Sequence, residues 1–436
     1  MKHITTYEVA GNVLIKENGS QCLTEKEAKE LEQYIGSSKL DKKCIKWGRN
    51  SVTFINYVGF IQLKTVSIEI LPKTQINGSD KEIEESRKML LQMLYRTGLL
   101  KINVNNMSMN QMYKHNLLEM FGALFALKLE QELMKGLYMQ YVQLEENLPV
   151  VKGNILFHKQ IHNQATRVNR VYCQYEEFSA ENQLNYILKC AIERLMNNVT
   201  QLETLKKLKR CLVYFDELVF STITKMDFST VHFNRLNKRF EPSFILAKMI
   251  LENMFSLSHF GKEKSFSILF RMDDLFEKYI AKLLDTCIEH NVMSQHNKYK
   301  LMINEFNDRE VYPLKPDIVV LQDDSEKLII DTKWKFINSS KNRHGVNRED
   351  LFQMYAYLTK YEKVSAVILL YPHQQAIIKP SSELLESWYL EEPVGDKQIE
   401  KIRVYSVDLS SERTAIQDLQ KIVLCNINNK KKDRNL

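Results

Sequence analysis

The stretch that most constrains this chain is KPDIVVLQDDSEKLIIDTKWK, residues 315–335. Two apolar strands, at about 317–321 and 327–335, flank the polar turn Asp323–Glu326, which is the pattern of a β-hairpin. Strand side chains alternate between faces, so Asp331, Lys333 and Lys335 share one face. Folding at the turn brings Asp317, which follows Pro316, roughly opposite Asp331–Lys333. Whether Asp317 shares their face depends on one residue of register, and the sequence leaves that open.

Two carboxylates converging beside a lysine have a recognisable chemical use. Hard oxygen ligands hold Mg²⁺, which keeps several waters and can also take a phosphate oxygen. Such a metal lowers the pKa of a bound water and neutralises charge on a phosphate during in-line attack. The lysine can orient the water or steady the developing charge. The competing reading is a surface hairpin with solvated charges at its ends.

The surroundings of the hairpin fit a compact α/β domain. A helix is expected at about 272–290 and a strand at about 300–306. After the hairpin come a helix at about 349–361 and the apolar strand Val364–Tyr371, stopped by Pro372. A last strand is expected at about 400–407. In the first of these helices Glu277 sits at the edge of the face made by Met272, Leu275, Phe276, Ile280 and Leu284. It reads either as a metal ligand or as a surface acid, while Asp273 and Asp274 suit the helix N-terminus.

Upstream the periodicity is different. Residues 1–78 read as β-rich: Val66, Ile68 and Ile70 alternate with polar residues, Gly59 marks a bulge or turn, and a small barrel or open sheet is expected. From 79 to 260 the period is helical. Ser79 or Asp80 caps a first helix with Ile83, Leu90, Leu91 and Leu94 on one face. Further helices are expected at about 115–140, from Asn182, and near 201–214 and 243–258. The polar stretch 259–265 divides this region from a C-terminal domain at 261–427, and the basic tail 428–436 reads as disordered. The expected fold class is therefore multidomain α+β: a β-rich N-terminal domain, a helical middle and a C-terminal α/β domain.

Composition narrows the function. The net charge of +7 permits an anionic partner without demanding one. Seven cysteines, an odd number with no CxxC pair, argue against a zinc cluster or a disulfide framework and for a reducing, cytoplasmic setting. The N-terminus lacks a signal-peptide core, and no apolar run is long enough to span a bilayer. No GxxxxGK[ST] loop is present, Gly261-Lys262 lacking its upstream glycine, so P-loop nucleotide hydrolysis is excluded. His158 and His162 stand i,i+4 without a Glu or Cys to complete a metal set. His344 reads as a solvated loop histidine, Lys206–Arg210 as a solvated helix face, and Tyr138–Tyr141 as core.

Beyond these readings the chain resembles the McrC family, nuclease subunits of modification-dependent (McrBC-type) restriction systems. The resemblance rests on Pro316-Asp317 with Asp331-Thr332-Lys333-Trp334-Lys335, and on Asp350-Leu351-Phe352-Gln353-Met354-Tyr355-Ala356-Tyr357. It extends to YVGFIQLKTVSIEILPK at 57–73, Val151-Lys152-Gly153 and Phe178-Ser179-Ala180-Glu181-Asn182. It implies a restriction-endonuclease-like domain of the PD-(D/E)xK type that cuts DNA with Mg²⁺. Asp317, Asp331, Lys333 and Gln353 would be the catalytic residues, with Asp317, Asp331 and Glu277 as metal ligands. It further implies a hexameric McrB-like AAA+ GTPase as partner, contacted and stimulated through residues 1–150. One active site cuts one strand, so double-strand cleavage requires two copies brought together. The alternative is a non-catalytic regulator or bridge that binds the motor and DNA. A stand-alone Mg²⁺ nuclease fits less well, because residues 1–260 far exceed its needs.

Overall fold

The structure is a computed structural model of the chain. It describes residues 2–9, 11–17, 19–37, 42–73, 79–102, 112–166, 169–219, 226–252, 265–390 and 401–427. The expected boundary at 259–264, the Gly261-Lys262 pair and the tail 428–436 lie outside the described residues, as does the side chain of His162.

The fold is mixed α+β with several sheets. The chain forms two compact units, one from Met1–Lys114 with Phe260–Leu436 and the other from His115–His259. This grouping differs from the expected partition at 78 and 260, because the N-terminal region and the C-terminal region build one unit together. The physical reason is strand pairing. In the first sheet, β1 (Lys2–Tyr7) runs parallel to β7 (Val66–Leu71), and β7 is antiparallel to β6 (Tyr57–Gln62). The sheet is completed by β11 (Phe266–Arg271), antiparallel to β6 from far along the sequence. A second four-stranded sheet holds β3 (Cys22–Leu23), β2 (Asn12–Ile15), β5 (Ser51–Phe54) and β4 (Ile45–Trp47) in that order. Helix α1 (Glu25–Ser37) follows β3.

Gly59 makes neither a turn nor a register shift. It lies within β6, paired with Ile70 on one side and Leu269 on the other. Its φ is +131°, and a Cβ there would stand 1.9 Å from the Ile268 carbonyl oxygen, so only glycine lets β11 approach.

Helix α2 (Asp80–Arg96) starts as its sequence requires, with Ser79 and Glu82 forming a reciprocal capping box. It belongs to the first unit. Its buried Arg87 donates from Nε to Glu69 Oε1 at 3.0 Å and from Nη2 to Oε2 at 2.6 Å, on β7. That fully buried ion pair is satisfied from both sides and holds the helix on the first sheet.

The largest sheet follows β11 in the chain. Its order is β12 (Asn291–Ser294), β15 (Ile318–Gln322), β16 (Ser325–Thr332), β17 (Ala366–Pro372), β19 (Lys401–Val407) and β18 (Glu386–Tyr389). Strands β16, β17 and β19 run parallel to one another, with antiparallel strands at both sides. Helix α9 (Arg348–Lys360) packs on one face over Val319, Ile329, Val367, Leu369, Ile402 and Val404. Residues of the other parity, such as Ile330, Ile368 and Leu370, are buried as well, where α8 (Met272–Cys287) and α10 (Glu412–Ile427) pack. Coverage of both faces is why β17 reads as an unbroken apolar run. A separate two-stranded hairpin, β13 (Lys300–Ile303) and β14 (Glu310–Pro313), precedes Asp317.

The second unit has five helices among its described residues: α3 (Leu117–Leu133), α4 (Phe157–Thr166), α5 (Gln183–Met196), α6 (Leu202–Val213) and α7 (Glu241–Glu252). Asn182 caps α5 by accepting from the Asn185 amide. The expectation of a mainly helical region misses a three-stranded sheet, β8 (Gln140–Leu148), β10 (Val171–Ser179) and β9 (Asn154–Ile155), in the order β8-β10-β9. It also corrects the reading of Tyr138–Tyr141 as core. Tyr138 is buried, but Tyr141 stands 70% exposed on β8 against Phe178 of β10, ring centroids 5.1 Å apart. Residues Lys206, Lys209 and Arg210 are exposed on α6, as a solvated face should be.

All seven cysteines are free thiols. Among the described residues no helix is long and apolar enough to cross a membrane.

Candidate active site

The site is built at the open end of the β15–β16 hairpin. The turn between these strands is two residues long, and both Asp323 (φ 50°) and Asp324 (φ 56°) are left-handed, the geometry that suits the twist of a tight hairpin. From that turn the pairing starts as Gln322↔Ser325 and Leu321↔Glu326. Continued unchanged, it would set Asp317 opposite Ile330. Instead Lys327 bulges out, and the pairing resumes as Val320↔Leu328 and Ile318↔Ile330. One step on, Asp317 stands opposite Asp331. The register question raised by the sequence is thus answered by one extra residue: both carboxylates lie on the α9 face, as does Lys333.

The two carboxylates are held differently. Oδ2 of Asp317 accepts from the backbone N–H and from the hydroxyl of Thr332, both at 2.8 Å. Asp331 is fully buried. Its Oδ1 accepts from Gln353 Nε2 at 3.4 Å, while Oδ2 lies in close ion-pair contact with Lys333 Nζ. Burial, then the charge of Asp317, pushes the Asp331 carboxyl well above its ordinary range. Burial raises Asp317 too, against the two Thr332 donors and Lys333. Lys333 is desolvated, which works against its charge, but Asp331 and the other nearby carboxylates win and its pKa rises. The lysine therefore stays an ammonium.

Helix α9 supplies the other wall. Gln353 accepts from Lys333 Nζ at 2.9 Å through Oε1. Its Nε2 donates to Tyr357 Oη at 2.7 Å, one turn along the helix, and that hydroxyl donates to the Lys315 carbonyl at 3.1 Å. Next along the strand end, Lys335 Nζ donates to both oxygens of Asp350 at 2.8 Å. The expected set Asp317, Asp331, Lys333 and Gln353 is thus brought together.

Glu277 stands at the margin. Its pKa is raised, first by burial and then by Asp317, so it lies within electrostatic reach of that carboxylate. Its own Oε1, however, accepts from Gln295 Nε2. Among the described residues no group of three or more His, Cys, Asp or Glu side chains converges as a ready-made cage. The donor set that does converge is two facing carboxylates, one of them with a buried oxygen met by the Lys333 ammonium alone. Such hard oxygens fit Mg²⁺, which completes its shell with water.

Other expectations resolve plainly. Asp273 and Asp274 occupy the first turn of α8, where the Asp273 amide is met by the Asn56 side chain at 3.1 Å. His344 is not solvated: its Nδ1 lies 2.8 Å from Glu386 Oε1. Residues that sequence reasoning missed are Thr332, Tyr357, Asp350, Gln295 and Glu8. Thr332, Asp350 and Tyr357 fall within the quoted motifs, so their positions were available. Glu8 had no local signal: it is fully buried and accepts from the Trp334 indole N–H.

Comparison with known proteins bears on this geometry. The family model described as "McrBC 5-methylcytosine restriction system component" matches residues 52–372. No curated protein matches. Among solved structures, a chain of the half-complex from a tetradecameric assembly of Thermococcus gammatolerans McrB AAA+ hexamers with bound McrC shares the fold. The TM-score is 0.69 at 20% identity, over 97% of this chain and 99% of that one. A chain of the T. gammatolerans McrBC complex matches at TM-score 0.48 and 23% identity, over 65% of this chain and 87% of that one. The family match spans well over half of the sequence and takes in both carboxylates, Lys333 and α9, and on that ground this chain belongs to the McrBC restriction system component family.

Proposed function

We propose that this chain is the DNA endonuclease subunit of a McrBC-type restriction complex, hydrolysing phosphodiester bonds with Mg²⁺ and stimulating a hexameric McrB-like AAA+ GTPase. The observation that carries the reading is the opposed pair Asp317 and Asp331 with Lys333 on the same face, its ammonium also bound by Gln353. A solvated surface hairpin has no reason to bury Asp331 completely.

In this reading Asp317 and Asp331 hold the metal, which when bound acidifies a water and offsets phosphate charge. Thr332 orients Asp317 through its two donated hydrogen bonds. Lys333, kept cationic by its neighbours, steadies charge that develops on the phosphate. Gln353 fixes the direction of that ammonium, and Tyr357 fixes Gln353. Glu277 serves as an acid at the edge, placed to anchor water. The GTPase supplies DNA selection and movement, in keeping with the absence of a P-loop motif here and with the assembly described for the T. gammatolerans proteins. Cleavage of both strands then needs two copies of the chain on one DNA, and a complex with one copy that makes clean double-strand breaks would remove that corollary.

The test joins the purified chain with the cognate GTPase, DNA, Mg²⁺ and GTP, comparing wild type with Asp331→Ala. Cleavage by the wild type alone, with GTP hydrolysis stimulated by both, is the expected result. Stimulation by both with cleavage by neither would make the chain a non-catalytic regulator.

A further inference from the structure

The regular ladder around the site stops early. Pairing of β16 with β15 ends at Ile330, and with β17 at Thr332. Beyond that point one backbone bond, from the Lys333 N–H to the Leu370 carbonyl at 2.9 Å, ties the chain to β17. Residues 333–335, which include the reactive ammonium, therefore run past the sheet that should orient them.

On the site side Lys333 and Lys335 are bound by Gln353 and Asp350 of α9, and the Lys335 carbonyl accepts from Gln374 Nε2 at 3.4 Å; on the opposite side the anchor comes from the first sheet. Lys333 and Lys335 thus face α9, while Trp334 points the opposite way. Trp334 is 7% exposed and packs edge-on against Phe276 of α8, ring centroids 5.2 Å apart. Its indole N–H donates to Glu8, which follows β1 and lies 326 positions away in the sequence. The backbone N–H groups of Lys73 and Asn56 lie near enough to favour the Glu8 carboxylate electrostatically, and its buried Oε2 makes no hydrogen bond of its own. Lys73, itself buried, lies with Nζ 4.6 Å from the centroid of the Phe336 ring. The 334–336 segment is thus gripped by residues 8 and 73 on the far side from the site.

A fully buried carboxylate is an expensive way to fill space, and an apolar side chain of similar volume packs as well. What a carboxylate adds is direction, since it fixes the indole N–H at one place. We propose that Glu8 is a positioning residue for the nuclease, holding Trp334 and through it the backbone that aims Lys333 at Asp331. This inference rests on the nuclease reading given above and adds to it that the turn after β1 belongs to the active-site scaffold.

The test uses the full chain in complex with the GTPase, measuring single-turnover DNA cleavage, KM for DNA and stimulated GTP hydrolysis together. Trp334→Phe keeps the ring on Phe276 and deletes the donor. Glu8→Leu deletes the acceptor, and Glu8→Gln keeps one. Misplacing a reacting group by about an ångström costs up to ~100-fold, so each deletion should lower the cleavage rate about tenfold or more. KM and GTPase stimulation should stay within about twofold, because the Glu8–Trp334 contact is buried inside the chain and offers no surface to DNA or motor in the folded protein. The double variant should fall no further than the worse single one, as expected for two ends of one contact. Glu8→Gln should cut within about threefold of wild type, because the amide oxygen still accepts the indole N–H. If Glu8→Leu does not fold, Trp334→Phe alone decides the matter. A Trp334→Phe rate equal to wild type overturns the inference, as does a Glu8→Gln rate as low as that of Glu8→Leu. If wild type itself cuts nothing, the nuclease reading fails and this one falls with it, an outcome distinct from the other two.

Discussion

Glu8 offers a measurement that needs no substrate. Burial pushes its carboxyl from the ordinary 4.5 up to about 7, against the pull of Lys73 and the Trp334 donor. At ~1.4 kcal/mol per tenfold, that difference amounts to ~3 kcal/mol. The folded chain holds this proton more tightly than the unfolded one. The stability it contributes is complete below about 4.5 and is lost as pH rises through about 7. Between pH 5 and pH 8 the linkage gives a loss of roughly 2–3 kcal/mol, and Glu8→Gln, which cannot titrate, should not suffer it. The assay is urea unfolding of both proteins at several pH values across that range, with the free-energy gap plotted against pH. Wild type should lose ground to the variant steadily as pH rises. Lys73 provides the counter-hypothesis. If its attraction outweighed burial, Glu8 would be depressed and wild type would gain on the variant instead. A gap that is flat, or that moves in that direction, refutes the reasoning.

Three further outcomes are expected. Without metal, Asp331→Asn should melt above wild type at neutral and alkaline pH, because the raised pKa of Asp331 makes its charge a burden there and the advantage fades on acidification; in Mg²⁺ the wild type should recover and the variant should not, as differential scanning fluorimetry in EDTA and in Mg²⁺ would reveal. Gln353→Ala should lower kcat by about tenfold or more with little change in DNA affinity, since it frees Lys333 and removes the 3.4 Å donor to Asp331 while leaving both carboxylates in place; a change confined to affinity would argue for a DNA-backbone contact instead. Gly59→Ala should destabilise the first unit by about 3 kcal/mol or more, because the new methyl meets the Ile268 carbonyl and the backbone is left-handed-side extended; an unchanged melting temperature would show that β11 can retreat at no cost.

How much of this was legible depends on whether a signal was local. Helices α2, α5 and α9 carry caps and apolar stripes within a single stretch, and their positions follow from the sequence. The hairpin carrying Asp317 and Asp331 was equally plain, since both strands and the turn lie within 315–335. Its register was not, because one residue, Lys327, steps out of line and nothing in the composition of the strand marks it. The β8–β10 pair escaped notice because much of it is exposed: residues 140–148 hold no fully buried side chain to set one face against the other. Strand β11 was hidden by distance, and its partner β6 reads as a complete strand without it. Glu8 was invisible for the same cause, one acid in a turn whose reason for burial lies at Trp334.

The pairing of β6 with β11 also sets a schedule. Gln62 and Phe266 stand 204 positions apart, and the second unit is synthesised between them. At ~5–20 residues per second a ribosome takes on the order of 10–40 s to cross that gap. The second unit pairs its strands and packs its helices with one another, and all of them lie upstream of Phe266. Meanwhile β6, an apolar strand with five of six residues destined for burial, waits with one edge unpaired. A nascent or truncated chain that stops before Phe266 therefore carries an open sheet edge, and its natural course is association with other chains. Synthesis through residue 271 is the event that closes it.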